Sequence, residues 1–447
     1  MTNRPRRALR RTGLACAVAL ALTLTACGSS DDDGGGSAGG SPSDIKAALE
    51  KGGTIKVWAW EPTLKKVAED FEDKYPKVKV ELVNSGTNTD AYTALQNAIS
   101  AGSGVPDVAQ IEYYALGQFA LSESLTDLSG FGADELDDTY SPGPWNAVSY
   151  DDGIFALPMD AGPMALFYNK KVFDKHGVPV PRTWDEYVTA AKKLHEADPD
   201  VYITNDIGEA GFTTSMIWQA GGRPYKVDGT KVSIDFTDEG STAYARTWQK
   251  LIDDDLVAPV PSWSEEWYKG LSDGNIATLA IGAWMPANLT SGAPGASGDW
   301  RVAPLPQWKP GASVSAENGG SSLAIPRKSG NKALAYAFVE YANAGDGVKS
   351  RVAEGAFPAT TAILKSKDFL DRKYEYFGGQ QANKILAQSA GDVPDDWSYL
   401  PFQVYANSIF NDKAGKAYST GTPLEQGLAD WQEASLKYGK EQGFTIE

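Results

Sequence analysis

The sequence has few of the residues that form covalent cross-links and metal sites. It contains two cysteines and two histidines among 447 residues. Cys16 lies in a segment that we expect to be removed, so only Cys27 stays in the mature chain and no disulfide forms within it. His176 and His195 do not have the spacing of metal ligands. These shortages predict a fold stabilised by its apolar core, without metal or other cofactor.

Apolar runs long enough to span a membrane are also missing from the N-terminal region. The run from Leu14 to Leu24 is too short, and the five arginines before it are typical of a secretory signal. Leu24-Thr25-Ala26-Cys27 then matches the bacterial lipobox. We expect a lipoprotein signal peptide over residues 1–26, a lipid on Cys27 and a flexible Gly/Ser/Asp tether over residues 27–51. A plain signal peptide with a chance cysteine is the alternative.

Positive charge is in the minority. The 41 Lys and Arg residues face 58 Asp and Glu residues, and the formal net charge is −17 at pH 7. Such a surface repels nucleic acid and anionic lipid headgroups. We therefore expect no nucleic-acid partner, and attachment to the outer face of the cytoplasmic membrane through the lipid anchor alone.

The order of the apolar patterns predicts an α/β fold. The strand-like segments Thr54–Trp58, Val78–Leu82 and Pro106–Ile111 are separated by two segments of helical periodicity. This order predicts an open, mainly parallel sheet with helices on its faces. Ligands bind such sheets at the loops that follow the carboxyl ends of the strands. Here those loops contain Trp60, Glu61, Asn88, Glu112, Tyr113 and Tyr114.

The stretch from Gly153 to Tyr187 predicts a strand that crosses between two lobes. Its two apolar runs are separated by Asp160-Ala161-Gly162-Pro163, and Thr183 with Glu186 forms a capping box at the next helix. Packing alone poorly explains a lone carboxylate between two halves of a strand. We interpret Asp160 as lining a cleft between lobes, where it either contacts ligand or supports the hinge.

Several motifs together indicate one family. They are the lipobox, GSGVPDVAQ at residues 102–110, Tyr168-Asn169-Lys170, Thr183-Trp184-Asp185-Glu186, Asp273-Gly274 through Gly282-Ala283-Trp284, and Asn318-Gly319-Gly320-Ser321-Ser322. On these motifs, residues 52–447 resemble the extracellular sugar-binding lipoproteins of ABC importers, family 1, to which maltose-binding protein belongs.

The resemblance implies a two-lobed, periplasmic-binding-protein-like fold of type II. Each lobe is expected to be an open, mainly parallel sheet flanked by helices, and a hinge of several crossing segments joins the lobes. The expected bounds are 52–160 plus 303–355 for the first lobe, 164–300 plus 359–447 for the second, and 160–164, 300–304 and 355–360 for the hinge.

The resemblance also implies roles for individual side chains. It places Asp160 on sugar hydroxyls, Trp284 against a sugar ring, and Glu209 and Phe212 among the contacts of the second lobe. A sugar has C–H faces that lie on aromatic rings and hydroxyls that need polar partners, so these residue types suit it. We predict no catalytic residue, and ligand contacts from Trp60, Glu61, Asn88, Glu112, Tyr113, Asp160, Glu209, Phe212, Trp284, Gly320, Ser321, Trp397 and Tyr399.

The predicted function is that of a receptor rather than an enzyme. It captures an oligosaccharide, a di- or trisaccharide, and delivers it to an ABC permease driven by a separate ATPase; we expect a monomer. Two alternatives stay open from the residues alone. One is a secreted glycoside hydrolase, because paired carboxylates and tryptophans also form active clefts. The other is a binding protein for a different polar solute on the same fold.

Overall fold

The computed structural model of the protein describes residues 40–150 and 153–447. The predicted signal peptide, Cys27 and most of the predicted tether lie outside the described residues. None of the helices in the described part of the chain combines the length and the apolar character that a membrane span requires.

Helices and strands alternate through most of the described residues. The strands are β1 (Gly53–Trp58), β2 (Val78–Val83), β3 (Val108–Glu112), β4 (Ser149–Tyr150), β5 (Gly153–Ile154), β6 (Ala156–Pro158), β7 (Met164–Asn169), β8 (Thr204–Asn205), β9 (Tyr225–Asp228), β10 (Lys231–Ile234), β11 (Val257–Ala258), β12 (Thr278–Gly282), β13 (Trp300–Ala303), β14 (Ser321–Ala324) and β15 (Thr445–Ile446). The helices are α1 (Pro42–Lys51), α2 (Leu64–Lys74), α3 (Asn88–Ala101), α4 (Tyr113–Leu121), α5 (Pro142–Asn146), α6 (Lys170–His176), α7 (Trp184–Ala197), α8 (Ala210–Gln219), α9 (Glu239–Asp253), α10 (Glu265–Asp273), α11 (Met285–Gly292), α12 (Lys332–Asn343), α13 (Gly347–Ala353), α14 (Thr361–Leu364), α15 (Lys367–Leu370), α16 (Ala382–Gly391), α17 (Gln403–Ser408), α18 (Ala417–Thr420) and α19 (Leu424–Glu441).

The first sheet joins β2, β1, β3, β14 and β6 in that order. β1 pairs in parallel with β2 and β3, as the sequence predicts. β14 runs antiparallel to both β3 and β6. Leu64, Val67 and Phe71 of α2 are buried in the apolar cluster that covers this sheet. The carboxyl ends of β1 and β3 therefore open on the same edge of the sheet.

β7 lies at the centre of a second sheet, between β12 and β13. Both neighbours run antiparallel to β7. This pairing differs from the mainly parallel sheet expected for each lobe. The physical reason is topological: β7 leads away from the first sheet, whereas β13 leads back toward it, so the two must run in opposite directions.

Within the described residues, three segments connect the two halves of the molecule. Residues 159–163 join β6 of the first sheet to β7 of the second, which confirms the predicted strand crossing. Residues 304–320 join β13 to β14. Residues 354–360 follow α13, and Pro358 forms an isolated antiparallel bridge with Asp160 of the first crossing. The crossing segments thus lie side by side.

The predicted tether is too long at its C-terminal end. Residues Pro42–Lys51 form α1, and the carboxylate of Asp44 accepts a hydrogen bond of 2.7 Å from the Ser41 N–H. Ile45, Ala48 and Leu49 pack against the core that covers the first sheet. The cap and a proline at the start of the helix are ordinary helix signals. The Gly- and Ser-rich residues before them make this segment resemble a continuation of the tether.

Candidate ligand-binding cleft

A cleft of about 830 Å³ lies between the two halves of the molecule. The loops that follow β1 and β2, together with the end of β3 and the start of α4, form one wall, and residues from β8, α8, β12 and α17 contribute the other. Asp160 and residues 318–321 of the crossing segments complete it. A volume of this size is typical of sites for small organic ligands.

Most of the predicted ligand-binding residues line this cleft. They are Trp60, Glu61, Asn88, Glu112, Asp160, Glu209, Phe212, Trp284, Gly320, Ser321 and Tyr399. They come from both halves of the chain and from the crossings between them. The tertiary structure therefore brings together residues that are more than three hundred positions apart in the sequence.

Tyr113 and Trp397 are placed elsewhere. Tyr113 is buried, and its hydroxyl donates a hydrogen bond of 2.6 Å to the main-chain oxygen of Asp160, so it supports the crossing segment from behind. The prediction of a loop after β3 is wrong. α4 begins at Tyr113, directly after β3, and this turns the ring of Tyr113 into the core. Trp397 packs on Trp218, with ring centroids 5.0 Å apart, and lines a smaller neighbouring cavity.

The cleft also contains residues that the sequence interpretation did not assign to it. The polar ones include Gln110, Asn205, Asp206, Asn288, Asn318, Gln403 and Asn407, and the aromatic ones include Trp263 and Trp267. The position of Gln110 in the sequence could have indicated a role at the site, because it is a polar residue between apolar residues of a strand. Its Oε1 accepts hydrogen bonds of 3.0 Å from the N–H groups of Trp60 and Glu61, which fixes the loop after β1.

Trp284 is held rigidly in the wall formed by the end of β12. Its Nε1 donates a hydrogen bond of 2.8 Å to the main-chain oxygen of Asn318 in the second crossing. A Cβ atom added to Gly282 would come within 2.3 Å of this nitrogen, and one added to Gly319 within 3.1 Å. Glycine at these positions therefore allows the indole to approach the backbone and fixes its orientation.

Trp263 has an unusual conformation for a large side chain. Its φ is +70° and its side chain is 48% exposed. Its ring centroid lies 5.0 Å from that of Trp267 and 5.6 Å from that of Trp284. A bulky residue in the left-handed region costs about 1–3 kcal/mol and persists where the surroundings or the function demand it. The strained, exposed indole on the cleft wall favours a functional role over simple surface packing.

Asp160 both lines the cleft and supports the crossing segments. Its Oδ1 accepts a hydrogen bond of 2.6 Å from the Ser321 N–H. Burial raises the pKa of Asp160 to about 6, and the positive charge of Arg351 opposes that rise. Arg351 is itself buried, and its Nη1 donates to the main-chain oxygen of Met159. Asp160 therefore supports the crossing segments, which is one of the two roles considered from the sequence, and its carboxyl group also lines the cleft.

Three further carboxyl groups are buried in or beside the cleft. Burial raises the pKa of Glu112 to about 7, although its Oε2 accepts a hydrogen bond of 2.7 Å from the Tyr92 hydroxyl. Burial also raises the pKa of Asp206 to about 7, against a hydrogen bond of 2.8 Å from the indole N–H of Trp248. Glu317 accepts from the Gly162 N–H, and burial raises its pKa to about 8.

These raised pKa values predict how the stability of the ligand-free protein depends on pH. Each of the four carboxyl groups keeps its proton to a higher pH in the folded state than in the unfolded state. Their contribution to stability is therefore full below about pH 4 and is lost as pH rises through about 6 to 8. We expect calorimetry to show a higher unfolding midpoint at about pH 5.5 than at about pH 8. Glu317→Gln, which keeps an acceptor oxygen but does not titrate, should flatten this profile; an unaltered profile would contradict the prediction.

The fold and the cleft define a two-lobed binding protein, and sequence comparison gives its family. The chain belongs to the family of bacterial extracellular solute-binding proteins, whose model matches residues 59–347. An arabinooligosaccharide-binding protein of Halalkalibacterium halodurans is 24% identical over 378 residues, which cover 81% of this chain and 83% of the relative. A lactose-binding protein of Rhizobium radiobacter is 22% identical over 400 residues, which cover 84% of this chain and 90% of the relative.

Solved structures agree with this assignment. The ABC transporter associated binding protein of B. animalis subsp. lactis Bl-04, in complex with β-1,6-galactobiose, is 49% identical with a TM-score of 0.82, over 88% of this chain and 99% of that chain. The galacto-N-biose/lacto-N-biose I-binding protein of Bifidobacterium longum is 24% identical with a TM-score of 0.77, over 89% and 99%. The predicted two-lobed α/β fold is confirmed, and the chain is a solute-binding protein rather than an enzyme.

Proposed function

We propose that the protein is an extracellular receptor that captures a neutral di- or trisaccharide in the cleft and delivers it to an ABC permease with a separate ATPase. The observation that carries this proposal is the lining of the cleft, which combines indole and phenol rings with carboxylate and amide groups. Rings offer surfaces for the C–H faces of a sugar, and the polar groups offer partners for its hydroxyls. The relative that is 49% identical was solved with β-1,6-galactobiose, so this disaccharide is the first ligand to test.

The experiment is a titration of intrinsic tryptophan fluorescence with a panel of di- and trisaccharides, with chromatography of each mixture afterwards. Saturable binding without cleavage is the expected result. Tryptophans from both halves line the cleft, so binding should change their fluorescence. Cleavage of any sugar would contradict a receptor. Binding of peptides or other polar solutes in place of every sugar tested would favour the alternative of a different solute on the same fold.

The charge of the cleft supports the restriction to neutral sugars. Glu61, Glu112, Asp160, Asp206 and Glu209 line it, and no lysine, arginine or histidine of the described chain does so. Placing a carboxylate among like charges is costly. We therefore expect a disaccharide that carries a uronic acid to bind at least about 10-fold more weakly than its neutral counterpart at pH 7 in isothermal titration calorimetry. Equal affinities would show that charge does not select the ligand.

We also propose that the crossing segments form the hinge and that the cleft closes around the ligand. Residues 159–163, 304–320 and 354–360 lie together, and the Asn318 N–H donates to the Gly162 oxygen at 2.8 Å across two of them. Closure about such segments brings the two walls onto the sugar. The lobes keep the bounds expected from the sequence, 52–160 plus 303–355 and 164–300 plus 359–447, except that residues of the three crossing segments, 304–320 among them, belong to the hinge.

The proposed attachment to the cell follows from the N-terminal motifs. After removal of residues 1–26, a lipid on Cys27 would hold the protein at the outer face of the cytoplasmic membrane, where it works as a monomer beside its permease. The described domain begins close behind, since α1 starts at Pro42 and packs on the first lobe. The tether proposed here therefore ends near residue 41 rather than at residue 51.

A further inference from the structure

A second cavity lies next to the cleft, with Tyr399 between the two. Its volume is about 300 Å³. Asn146, Ser149 and Tyr150 line it from the first half of the chain, and Asp228, Trp397 and Ser398 line it from the second. Tyr399 also lines the cleft, so the two cavities share a wall.

The aromatic surface continues from one cavity into the other. The ring centroid of Tyr399 lies 6.3 Å from that of Tyr114, which lines the cleft, and 5.5 Å from that of Trp397, which lines the second cavity. Both contacts are edge-on, with interplanar angles of 68° and 76°. The two cavities are thus bordered by one continuous set of aromatic side chains.

The polar groups of the second cavity repeat the chemistry of the cleft. Asn146 supplies an amide, Ser149 a hydroxyl and Asp228 a carboxylate, beside the rings of Tyr150 and Trp397. Asn146 and Asp228 have exposed side chains, so their polar groups are accessible to a ligand. Aromatic faces combined with hydroxyl partners suit a sugar better than a purely apolar group.

We propose that this cavity is an accessory subsite, which holds one further sugar residue of an oligosaccharide whose first residues occupy the cleft. The proposal rests on the function proposed above. The occupant touches residues 146–150 from one half of the chain and residues 227–229 and 397–399 from the other. The subsite thus extends the range of ligands to longer oligosaccharides and adds a second place where the ligand bridges the two halves.

The test is a length series of β-1,6-linked galactose oligosaccharides, from the disaccharide to the tetrasaccharide, measured by isothermal titration calorimetry. For the unmodified protein we expect the longer members to bind about 10-fold more tightly than the disaccharide. Asn146→Ala and Asp228→Asn should bind the disaccharide unchanged and lose most of this gain. Asp412→Asn is the matched control, because it removes the same charge from an exposed position outside both cavities.

The outcomes separate the subsite from the function on which it rests. Disaccharide binding without any gain on lengthening overturns the subsite alone. So does an equal loss for all lengths in Asn146→Ala and Asp228→Asn. Absence of binding by the whole series overturns the subsite together with the galactoside ligand.

Discussion

Replacing Trp284 by alanine should weaken oligosaccharide binding by about 30- to 100-fold, or about 2–3 kcal/mol. A rigid, well-packed tryptophan in the centre of a site is the kind of residue that contributes most to binding. Trp284 is held by its hydrogen bond to the Asn318 oxygen and by the close approach of Gly282, so its indole would lose little side-chain freedom on contact with a sugar. Isothermal titration calorimetry with the best-bound disaccharide measures the loss.

Three further variants sharpen this prediction. Trp284→Phe keeps an aromatic face but loses the N–H, so it should lose only part of the affinity. Gly282→Ala keeps the tryptophan but shifts its ring, because the new Cβ would come within 2.3 Å of the indole nitrogen. Trp145→Phe alters an indole outside both the cleft and the crossing segments and should bind normally. Unchanged affinity in Trp284→Ala, with an unchanged unfolding midpoint, would show that Trp284 does not contact the ligand.

Replacing Arg351 by methionine should lower the free energy of unfolding of the ligand-free protein by about 1–3 kcal/mol at pH 7. The guanidinium is buried and donates to the Met159 oxygen at the start of the first crossing. Its charge also favours the ionised form of Asp160. Methionine fills the space, but it leaves a buried carbonyl without this donor and a buried carboxyl group without a compensating charge. Equilibrium unfolding in urea measures the difference.

The variant Asp160→Asn separates these two causes. Combined with Arg351→Met it should restore part of the stability, with a coupling energy of about 1–3 kcal/mol in a double-mutant cycle. The cost of Arg351→Met should also be smaller at about pH 5, because the pKa of Asp160 is about 6 and the carboxyl group is then largely protonated. Additive effects and a cost independent of pH would assign the whole loss to the hydrogen bond with Met159.

Local pattern was sufficient for the elements that are regular and half buried. The alternation in residues 54–58 and 78–82 predicts β1 and β2, and Thr183 with Glu186 predicts the helix start that the structure shows for α7 at Trp184. These elements depend on the spacing of apolar side chains, which is a property of neighbouring residues. The carboxyl ends of β1 and β3 are likewise predicted to form a ligand-binding edge, because parallel strands end together, although no loop separates β3 from α4.

Elements whose ends depend on distant contacts were predicted less well. The ring of Tyr113 lies behind the cleft because α4 starts without an intervening loop and the main-chain oxygen of Asp160 accepts a hydrogen bond from the Tyr113 hydroxyl. The second crossing begins after β13 at residue 304, the last residue of the predicted hinge span 300–304. Strand pairing with β7 sets that boundary, and a pairing partner more than a hundred residues away is not visible in a local window.

The residue types of the site could be predicted from the sequence, since a sugar requires aromatic faces and hydroxyl partners and the segments at the strand ends contain both. The spatial arrangement of these groups could not be predicted in this way. Asp160 reaches the Ser321 N–H, and Trp284 reaches the Asn318 oxygen, only because three crossing segments pack side by side. Residue types follow from what a ligand needs, whereas distances and pKa values arise from burial between segments that are remote in sequence, and these are properties of the folded molecule alone.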